Sequence, residues 1–600
     1  MVNNPLVHDQ SHAINILGDY LHRDWPGTTK LSQRELKQYR QQNSIVGWRV
    51  PLVVDDTPTS IDLLIGNDYP YELPDVYLVG EKKALFWPHV ESDNKLCVYP
   101  SNATFNPADP AGVASDLLSS SKALITELVR GNCKTDFADE FQNYWVQTVD
   151  FNQPKALLLN DLLPPSRHIM CWRGKSHTLF SDSTDDGIRW LKNHHQERFS
   201  EDDFKQALFL WFDSPLMPEQ YPRSNIDIMK LAESCGAEKL LHALINEKSN
   251  TLYVVIGFLT QTGPTAAAIR VQRPPRQSIP KDRGVNPIVK GFRPGHVPQH
   301  ILNMRMLSAG SKTRNLNTVR VDESWIHSRG GNGLPKKNKR ICIVGCGSLG
   351  GQVSLLLAQT GYELELIDPD SLDWDNVGRH ILGSPRSIQQ NKAKALATHL
   401  SQQLPHRDIQ HHATTWKTVW EKTPEVIMNC DIIVSTTGDW PSESALNRLN
   451  RTVAGFPDLI IGWTEAHALA GHALIIRDIG GCLCCGMSGV GAFSHEAIVW
   501  KEEQMAPIPA CGGFYQPYGA IDLSQIHGLI ARSVMDLAEG RIKKSEHRIW
   551  FGDIGRINTL GGTLAPRWNS PEFDIRQGLR EYQHHWALNS QCSLCAPSHQ

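Results

Sequence analysis

Several features are missing from this 600-residue sequence, and each absence removes a class of protein. No stretch approaches the ~18 consecutive apolar residues that a membrane-spanning helix needs. The N-terminal segment contains early acidic and histidine residues and no long apolar core, which is not the pattern of a secretory signal. Internal repeats are absent as well. The formal net charge of −3 is far from the strong positive charge of a nucleic-acid binder.

The thirteen cysteines are an odd number and follow no secretion signal, so a disulfide framework is not expected. In a reducing cytoplasm, cysteines serve more often as metal ligands, nucleophiles or small core residues. The 40% hydrophobic and 20% charged content is typical of a soluble globular protein. The length predicts roughly three or four domains. The sequence therefore predicts a cytoplasmic multidomain protein.

The stretch from Arg340 to Lys392 has the order strand, glycine-rich turn, helix, strand and acid. Four apolar residues, 341–344, run into the turn, and a second apolar strand, Glu363–Ile367, ends at Asp368. The glycines of the turn are Gly345, Gly347 and Gly350. Glycines let the backbone approach phosphate, the helix N-terminus offers free N–H groups, and the acid takes ribose hydroxyls. This arrangement predicts a nucleotide site, of which a dinucleotide site is the commonest kind.

The polar residues that come after the motif favour ATP over a nicotinamide dinucleotide. They are Asp370, Asn376, Arg379, Lys392 and Asp439. A nicotinamide needs an apolar slot beside the pyrophosphate, whereas Arg and Lys neutralise a triphosphate and Asp at a strand end can hold a divalent metal. NAD binding stays open as the alternative.

The spacing of these residues resembles the adenylation domain of ubiquitin-activating enzymes and of their bacterial relatives in thiamine and molybdopterin synthesis. The resemblance covers residues 310–600 and implies a Rossmann-like, ThiF/MoeB-type α/β fold. It implies that Asp368, Asp370, Asn376, Arg379 and Lys392 hold ATP. It also implies that Asp439 serves Mg²⁺ and that the product is an acyl-adenylate on the C-terminal glycine of a small protein.

Five cysteines in the same half have settings that suggest chemistry. Two CxxC pairs, Cys482 with Cys485 and Cys592 with Cys595, predict a tetrahedral zinc site, with a redox pair as the alternative. Related adenylation domains carry a similar long-range zinc site. Cys511 lies between prolines and glycines on a segment that predicts a flexible crossover, and we predict that it is a thioester-forming nucleophile.

Residues 1–160 resemble the α+β ubiquitin-conjugating fold: a helix, antiparallel strands over Gly47–Val54 and Ser60–Ile65, a proline-rich turn, an exposed Cys97 and then helices. The family places Asn eight residues before the cysteine, and here His89 stands there. We predict that Cys97 forms a thioester, that His89 donates a hydrogen bond to the tetrahedral intermediate, and that Lys95 lowers the pKa of the thiol. The alternative is a Cys97 that only packs.

Residues 161–309 carry no motif and are predicted to be a linker domain of unknown role. A double proline at 164–165 marks its start. Short strands are predicted over Thr178–Phe180, Ala207–Phe212 and Thr251–Phe258, and a helix over Ile226–Asn246. The basic, proline-rich run of residues 270–298 is predicted to be an extended connector.

The three parts together resemble the fused activating and conjugating (E1–E2) proteins of bacterial CBASS anti-phage operons. The resemblance implies thioester transfer from Cys511 to Cys97 and an isopeptide with an acceptor amine. The protein joined through its C-terminus would be a cGAS-like nucleotidyltransferase, and the adenylation domains would pair as a homodimer. The alternative is an adenylyltransferase for a sulfur-carrier or other ubiquitin-like protein, with a non-catalytic N-terminal docking domain.

Overall fold

The computed structural model describes residues 5–39, 44–100, 102–195, 198–246, 251–272, 312–328, 339–488, 492–502, 504–507, 514–569 and 578–595. They fall into two compact units. Residues up to 187 and 201–320 form the first, and residues 188–200 and those from 321 onward form the second. Among the helices of the described residues, none is both long enough and apolar enough to span a membrane.

The first unit opens with a four-stranded antiparallel sheet in the order β1-β2-β3-β4. Its strands are β1 (Thr29–Lys30), β2 (Val46–Val54), β3 (Thr57–Ile65) and β4 (Asp75–Leu78), and its helices are α1 (Pro5–Asp24), α2 (Gln33–Leu36) and α3 (Pro110–Arg130). Leu17 of α1 and Leu118 of α3 are fully buried in one core with Trp48 and Leu63 of the sheet. The two strands predicted here are confirmed as β2 and β3.

The same unit contains a second sheet of eight strands, in the order β11-β10-β9-β8-β6-β7-β5-β12. The strands are β5 (Lys155–Leu158), β6 (Arg167–Arg173), β7 (His177–Ser181), β8 (Phe204–Phe212), β9 (Thr251–Thr260), β10 (Gly263–Gln272), β11 (Arg314–Leu316) and β12 (Thr318–Arg320). The three strands predicted in this region lie within β7, β8 and β9. The connector predicted over residues 270–298 lies, from residue 273 onward, outside the described residues.

The two edges of this sheet are consecutive in the chain. β11 pairs with β10 and β12 pairs with β5, and Asn317 alone separates β11 from β12. Because one residue spans less than ~4 Å, the two edges must meet there. The sheet therefore closes on itself, and residues 314–320 form the seam.

Four helices accompany this sheet: α4 (Asp136–Asp139), α5 (Phe141–Val146), α7 (Asn225–Ser234) and α8 (Glu238–Asn246), whereas α6 (Thr184–His195) begins in the first unit and ends among residues of the second. The single helix predicted over Ile226–Asn246 is wrong, because Gly236 with a φ of +68° ends α7 before α8 begins. Trp145 of α5 is buried and donates its indole N–H to the carbonyl oxygen of Leu316, 3.1 Å away. This bond ties α5 to the seam.

The second unit is built on another eight-stranded sheet, in the order β15-β14-β13-β16-β17-β18-β22-β24. The strands of the unit are β13 (Arg340–Val344), β14 (Glu363–Ile367), β15 (Ile409–His412), β16 (Ile432–Ser435), β17 (Asp458–Thr464), β18 (Ala470–Ile476), β19 (Ile498–Trp500), β20 (Ala506–Pro507), β21 (Phe514–Tyr515), β22 (Glu546–Asp553), β23 (Gly562–Leu564) and β24 (Gly578–His585). The first five strands of the sheet are parallel and the last three are antiparallel. β19 pairs with β23 and β20 with β21 as small ribbons.

Helices cover both faces of the parallel part of this sheet. The helices of the second unit are α9 (Glu323–Ser328), α10 (Ser348–Thr360), α11 (Lys392–Gln403), α12 (Trp416–Lys422), α13 (Pro424–Met428), α14 (Trp440–Thr452), α15 (Ala520–Ala538) and α16 (Ile554–Thr559). Ile341 and Ile343 of β13 pack with α10, α11 and α15, whereas Cys342 and Val344 pack with α12, α13 and α14. The alternation explains the continuous apolar run of β13, since both of its faces are buried. The Rossmann-like α/β fold predicted for this half is confirmed.

Candidate active site

The glycine-rich turn joins β13 to α10 and leaves the N-terminus of that helix open. Gly345 has a φ of +91°, which glycine adopts without strain. Gly347 is the N-cap residue of α10, and the space where its Cβ would stand is open. At Gly350 a Cβ would lie 1.9 Å from the carbonyl oxygen of Gly345, so no larger residue fits. The first N–H groups of α10 can therefore be approached by an anion such as phosphate.

Asp368 follows β14, and its carboxylate holds the glycine-rich turn in place. Its Oδ2 accepts from the backbone N–H of Cys346 at 2.6 Å, and its Oδ1 accepts from the backbone N–H of Asp370 at 2.8 Å. Asp368 is 5% exposed, and burial raises the pKa of its carboxyl group. Asp368 thus has a positioning role that the sequence did not suggest. Its contact with ribose stays a prediction.

Lys392 is fixed beside the loop that follows β14. It is the first residue of α11, and its Nζ lies 3.1 Å from Oδ2 of Asp370. Its backbone N–H donates to the carbonyl oxygen of Asp370 at 2.8 Å. Asn391 caps α11 and donates its side-chain N–H to the carbonyl oxygens of Asp368 and Asp370. The lysine side chain is 14% exposed and that of Asp370 67%, so the cation is held in place while its partner remains open to solvent.

Asn376 and Arg379 lie at and just after a 3₁₀ turn, Trp374–Asn376. The side chain of Asn376 caps that turn by accepting from the backbone N–H of Asp373 at 3.2 Å. The guanidinium of Arg379 stands over the ring of Tyr518, 5.1 Å from its centroid. The hydroxyl group of Tyr518 lies 3.0 Å from that of Ser348, the first residue of α10. Tyr518 therefore links Arg379 to the glycine-rich turn.

Asp439 is exposed at the N-cap position of α14, and its side chain makes no capping hydrogen bond. Asp439 follows β16. In the sheet, β13 lies between β16 and β14. Because these strands are parallel, their carboxyl ends share one edge of the sheet. Asp439, the glycine-rich turn and Asp368 therefore lie along the same edge, and the exposed carboxylate of Asp439 is available to a divalent cation.

Glu443 lies one helical turn after Asp439 and was not anticipated from the sequence. Its Oε1 accepts from the hydroxyl groups of Ser435 and Thr437 and from the backbone N–H of Gly438, at 3.1–3.2 Å. The side chain is fully buried, and burial raises the pKa of its carboxyl group to about 7. Glu443 therefore holds the segment that carries Asp439. A lone Glu on a helix gives no sequence signal for such a role.

Cys97 is an exposed residue, and the charges of two carboxylates act on its sulfur. The thiol donates to Oε1 of Glu91 at 3.4 Å. Desolvation of the sulfur, followed by the charges of Glu91 and Glu140, raises the pKa of the thiol to about 12. Lys95 acts in the opposite direction and more weakly, since its Nζ pairs with Asp75 at 2.6 Å. Lys95 therefore lowers the pKa as predicted, but burial and the two carboxylates outweigh it, so the pKa of the thiol rises overall.

His89 supports the backbone of Cys97, because its carbonyl oxygen accepts from the Cys97 N–H at 2.9 Å. Its own N–H donates to the hydroxyl group of Tyr144 at 2.8 Å. The ring Nε2 lies 2.9 Å from the carboxylate of Asp136, and Nδ1 lies 3.7 Å from that of Glu140. The backbone donor and Nε2 of His89 thus already have partners. Its predicted bond to an oxyanion stays a prediction.

Four cysteines of the second unit converge although the chain separates them widely. The sulfurs of Cys482, Cys485, Cys592 and Cys595 lie within 4.8 Å of one another. The Cys482–Cys592 distance is 3.7 Å and the Cys482–Cys485 distance 3.9 Å. Bonds of ~2.3 Å in a tetrahedral zinc site put sulfurs about 3.8 Å apart. The cluster therefore fits a zinc ion.

Two family descriptions match separate parts of the chain. Residues 21–153 match "Prokaryotic E2 family B", and residues 333–503 match "ThiF family". The chain is an E2–ThiF fusion. The N-terminal E2-type domain is the one that contains Cys97, and the ThiF-type domain is the one that contains the glycine-rich turn. This pair of domains is that of an ATP-dependent activating and conjugating enzyme.

Two curated relatives of the E2–ThiF fusion carry the name "ATP-dependent ubiquitin transferase-like protein Cap2". The protein from Vibrio cholerae is 22% identical over 89% of this chain and 91% of its own length. The protein from Pseudomonas aeruginosa is 34% identical, but the match spans 18% of this chain and 21% of that protein. Escherichia coli MccB, solved with ATP, aligns at 17% identity over 44% of this chain and 67% of its own, with a TM-score of 0.31, which is too low to bear on function.

The structure of the fusion brings some predicted residues together and leaves others apart. Lys392 and Asp370 are in contact, and Asp368 binds the glycine-rich turn directly. Cys511 lies outside the described residues. Cys342, Cys346 and Cys430 are buried. Cys484, between two predicted zinc ligands, accepts from Asn447 at 3.5 Å and is not part of the four-sulfur cluster.

Replacing Cys592 with serine is expected to remove zinc from the ThiF-type domain. The cluster joins segments 110 residues apart, so its loss removes a link between the C-terminal segment and the rest of the domain. We expect metal content to fall from one zinc per chain to a small fraction, and the melting temperature to fall by about 5 °C. Cys484→Ser is the matched control, and it should keep the metal. Equal zinc content in the two variants would contradict the site.

Proposed function

We propose that the E2–ThiF fusion activates the C-terminal carboxylate of a protein with ATP, captures it as a thioester on Cys511, passes it to Cys97 and joins it to an acceptor amine. The observation that carries this proposal is the presence, in one chain, of an exposed thiol in an E2-type domain and a ThiF-type domain with a glycine-rich turn at the open N-terminus of a helix. A carboxylate is a poor electrophile, so adenylation must precede thiol capture.

The edge of the ThiF-type sheet supplies what adenylation requires. The N–H groups at the start of α10 and the ammonium of Lys392 would bind phosphate oxygens, and Arg379 would add a second cation. Asp370, 67% exposed, and Asp439, also exposed, would hold Mg²⁺, which neutralises phosphate charge. Asp368 and Glu443 would position these groups rather than bind the nucleotide charge.

Fusion of the two domains favours the second transfer, because both thiols belong to one chain. An intramolecular acceptor has an effective concentration that free partners do not reach. The acyl donor that we propose is a cGAS-like nucleotidyltransferase of a CBASS operon, as the resemblance implies, and the acceptor is an amine, with lysine as the first choice. The similarity to two proteins named Cap2 supports this choice of system.

Trapping the thioesters tests the proposal. The whole chain is incubated with ATP, Mg²⁺ and the candidate nucleotidyltransferase, then separated on a gel without reductant. We expect one or two adducts that disappear on reduction, at Cys97 and Cys511 by peptide mass spectrometry. Omitting ATP is the control. Pyrophosphate release without any reductant-sensitive adduct would contradict the proposal and favour simple adenylyl transfer.

A further inference from the structure

The carboxylates near Cys97 are unsuited to a thiol that must attack. Glu91 accepts the thiol hydrogen at 3.4 Å, and Glu140 adds a second negative charge. Lys95, a cation that acts on the sulfur, is paired with Asp75 at 2.6 Å. Such surroundings keep the resting thiol protonated and slow its alkylation. If Cys97 carries the acyl group, these carboxylates must serve a step other than attack by the thiol.

The same surroundings suit the step that follows loading. Once Cys97 carries an acyl group, its sulfur is neutral and has no hydrogen to donate, so Oε1 of Glu91 loses its partner. Within the described residues, the Glu91 carboxylate accepts a single hydrogen bond, and its donor is the Cys97 thiol. A free carboxylate beside a thioester attracts a cationic nucleophile, and a primary ammonium must lose a proton before it can attack.

We propose that Glu91 carries the proton during aminolysis at Cys97, taking it from the attacking amine and returning it to the departing sulfur. This inference rests on the proposed function. The amine nitrogen forms the C–N bond as the C–S bond breaks. The acceptor ammonium first loses one proton through Oε1 to bulk water. As the C–N bond forms, the second departing N–H proton passes to Oε1 and then to Sγ. The products are an amide, a Cys97 thiol and an ionised Glu91.

The resting structure has the geometry of the end of this step, in which Sγ–H donates to the ionised Oε1. Neighbouring acids are already engaged: Asp136 binds the ring of His89 at 2.9 Å, and Glu140 accepts from the hydroxyl group of Tyr144 at 3.0 Å. Glu91 itself is exposed, so an acceptor lysine from another molecule can reach it. The geometry therefore favours Glu91 over the other two acids.

The test measures discharge of an acyl group from Cys97 without requiring ATP or the natural donor. Wild-type, Glu91→Gln, Glu91→Asp and Asp93→Asn chains are acylated with a glycine-ending peptide as its 2-mercaptoethanesulfonate thioester. Peptide mass spectrometry then follows the Cys97 adduct. Each acylated chain is then discharged with Nα-acetyl-lysine or with 2-mercaptoethanol across a pH series. Asp93→Asn is the matched control, because it removes one charge from the same turn and keeps an acceptor for the Lys95 N–H.

For Glu91→Gln we expect amine discharge to slow by about a hundredfold at neutral pH, the effect typical of losing a general base. The difference in rate between wild type and Glu91→Gln should shrink as the pH approaches ~10, where the free amine predominates. Discharge to 2-mercaptoethanol should be no slower, because a thiolate brings no proton and is no longer repelled by the carboxylate. Glu91→Asp should recover part of the amine rate, and Asp93→Asn should match wild type.

Equal amine discharge in wild type and Glu91→Gln would overturn the inference alone, and so would equal slowing with both nucleophiles, which indicates a structural defect. If the wild-type chain carries no acyl group at Cys97 even with ATP, Mg²⁺ and the candidate donor protein, both the proposed function and this inference are wrong.

Discussion

Replacing Cys97 with alanine is expected to abolish conjugate formation, with a loss of at least about a thousandfold, because no other thiol in the E2-type domain has its setting. ATP–pyrophosphate exchange should stay within about twofold of wild type, since the thiol plays no part in adenylation. The two readouts are a denaturing gel of conjugates and radiolabelled exchange. Cys97 is exposed and its thiol bonds only to Glu91 among the described residues, so the substitution should leave folding intact.

Two further variants sharpen this result. Cys133→Ala removes a partly exposed thiol of the same domain and should conjugate normally. Cys97→Ser should accumulate an adduct that resists reductant, because an oxygen ester replaces the thioester. Conjugates that persist in Cys97→Ala would instead favour the alternative, an adenylyltransferase with a non-catalytic N-terminal docking domain.

Replacing Lys392 with alanine is expected to slow ATP–pyrophosphate exchange by about a hundredfold, as for the loss of one donor aimed at developing charge. The ammonium is held at low exposure beside the glycine-rich turn, so little reorganisation is needed when phosphate arrives. Its partner Asp370 is well exposed and stays solvated without it. Thermal stability should therefore change little.

Lys394→Ala is the matched control for this prediction, because Lys394 lies two residues further along the same helix and is exposed. It removes the same charge without touching Asp370. Exchange at wild-type rates in both variants would show that Lys392 does not serve the nucleotide. Slowing in both would show that general charge, rather than position, matters.

Local chemistry is what could be predicted from the sequence. The nucleotide motif is set by the apolar run of β13, by the glycines of the turn, of which Gly350 leaves no room for a larger residue, and by the acid that follows β14. Each of these features depends on residues that are close together in the sequence. The strands β2 and β3 were equally predictable, because antiparallel neighbours joined by a short turn carry their pattern locally.

The surroundings of Cys97 could not be predicted, because sequence neighbours are not spatial neighbours. Lys95 stands two residues from Cys97 but bonds to Asp75 on a facing strand. Glu140, between α4 and α5, is far along the chain, yet its charge acts on the sulfur. The wrong prediction of a single helix over Ile226–Asn246 had a different cause. The apolar pattern continues across Gly236, where the backbone is left-handed.

The closed sheet of the first unit determines where this protein can be divided. A cut at the predicted boundary between residues 309 and 310 would assign β11 and β12 to the C-terminal piece. The N-terminal piece would then present β5 and β10 as two unpaired edges at once, each a template for joining another chain. Trp145 would also lose the acceptor for its indole N–H. A soluble N-terminal half therefore has to extend through Arg320.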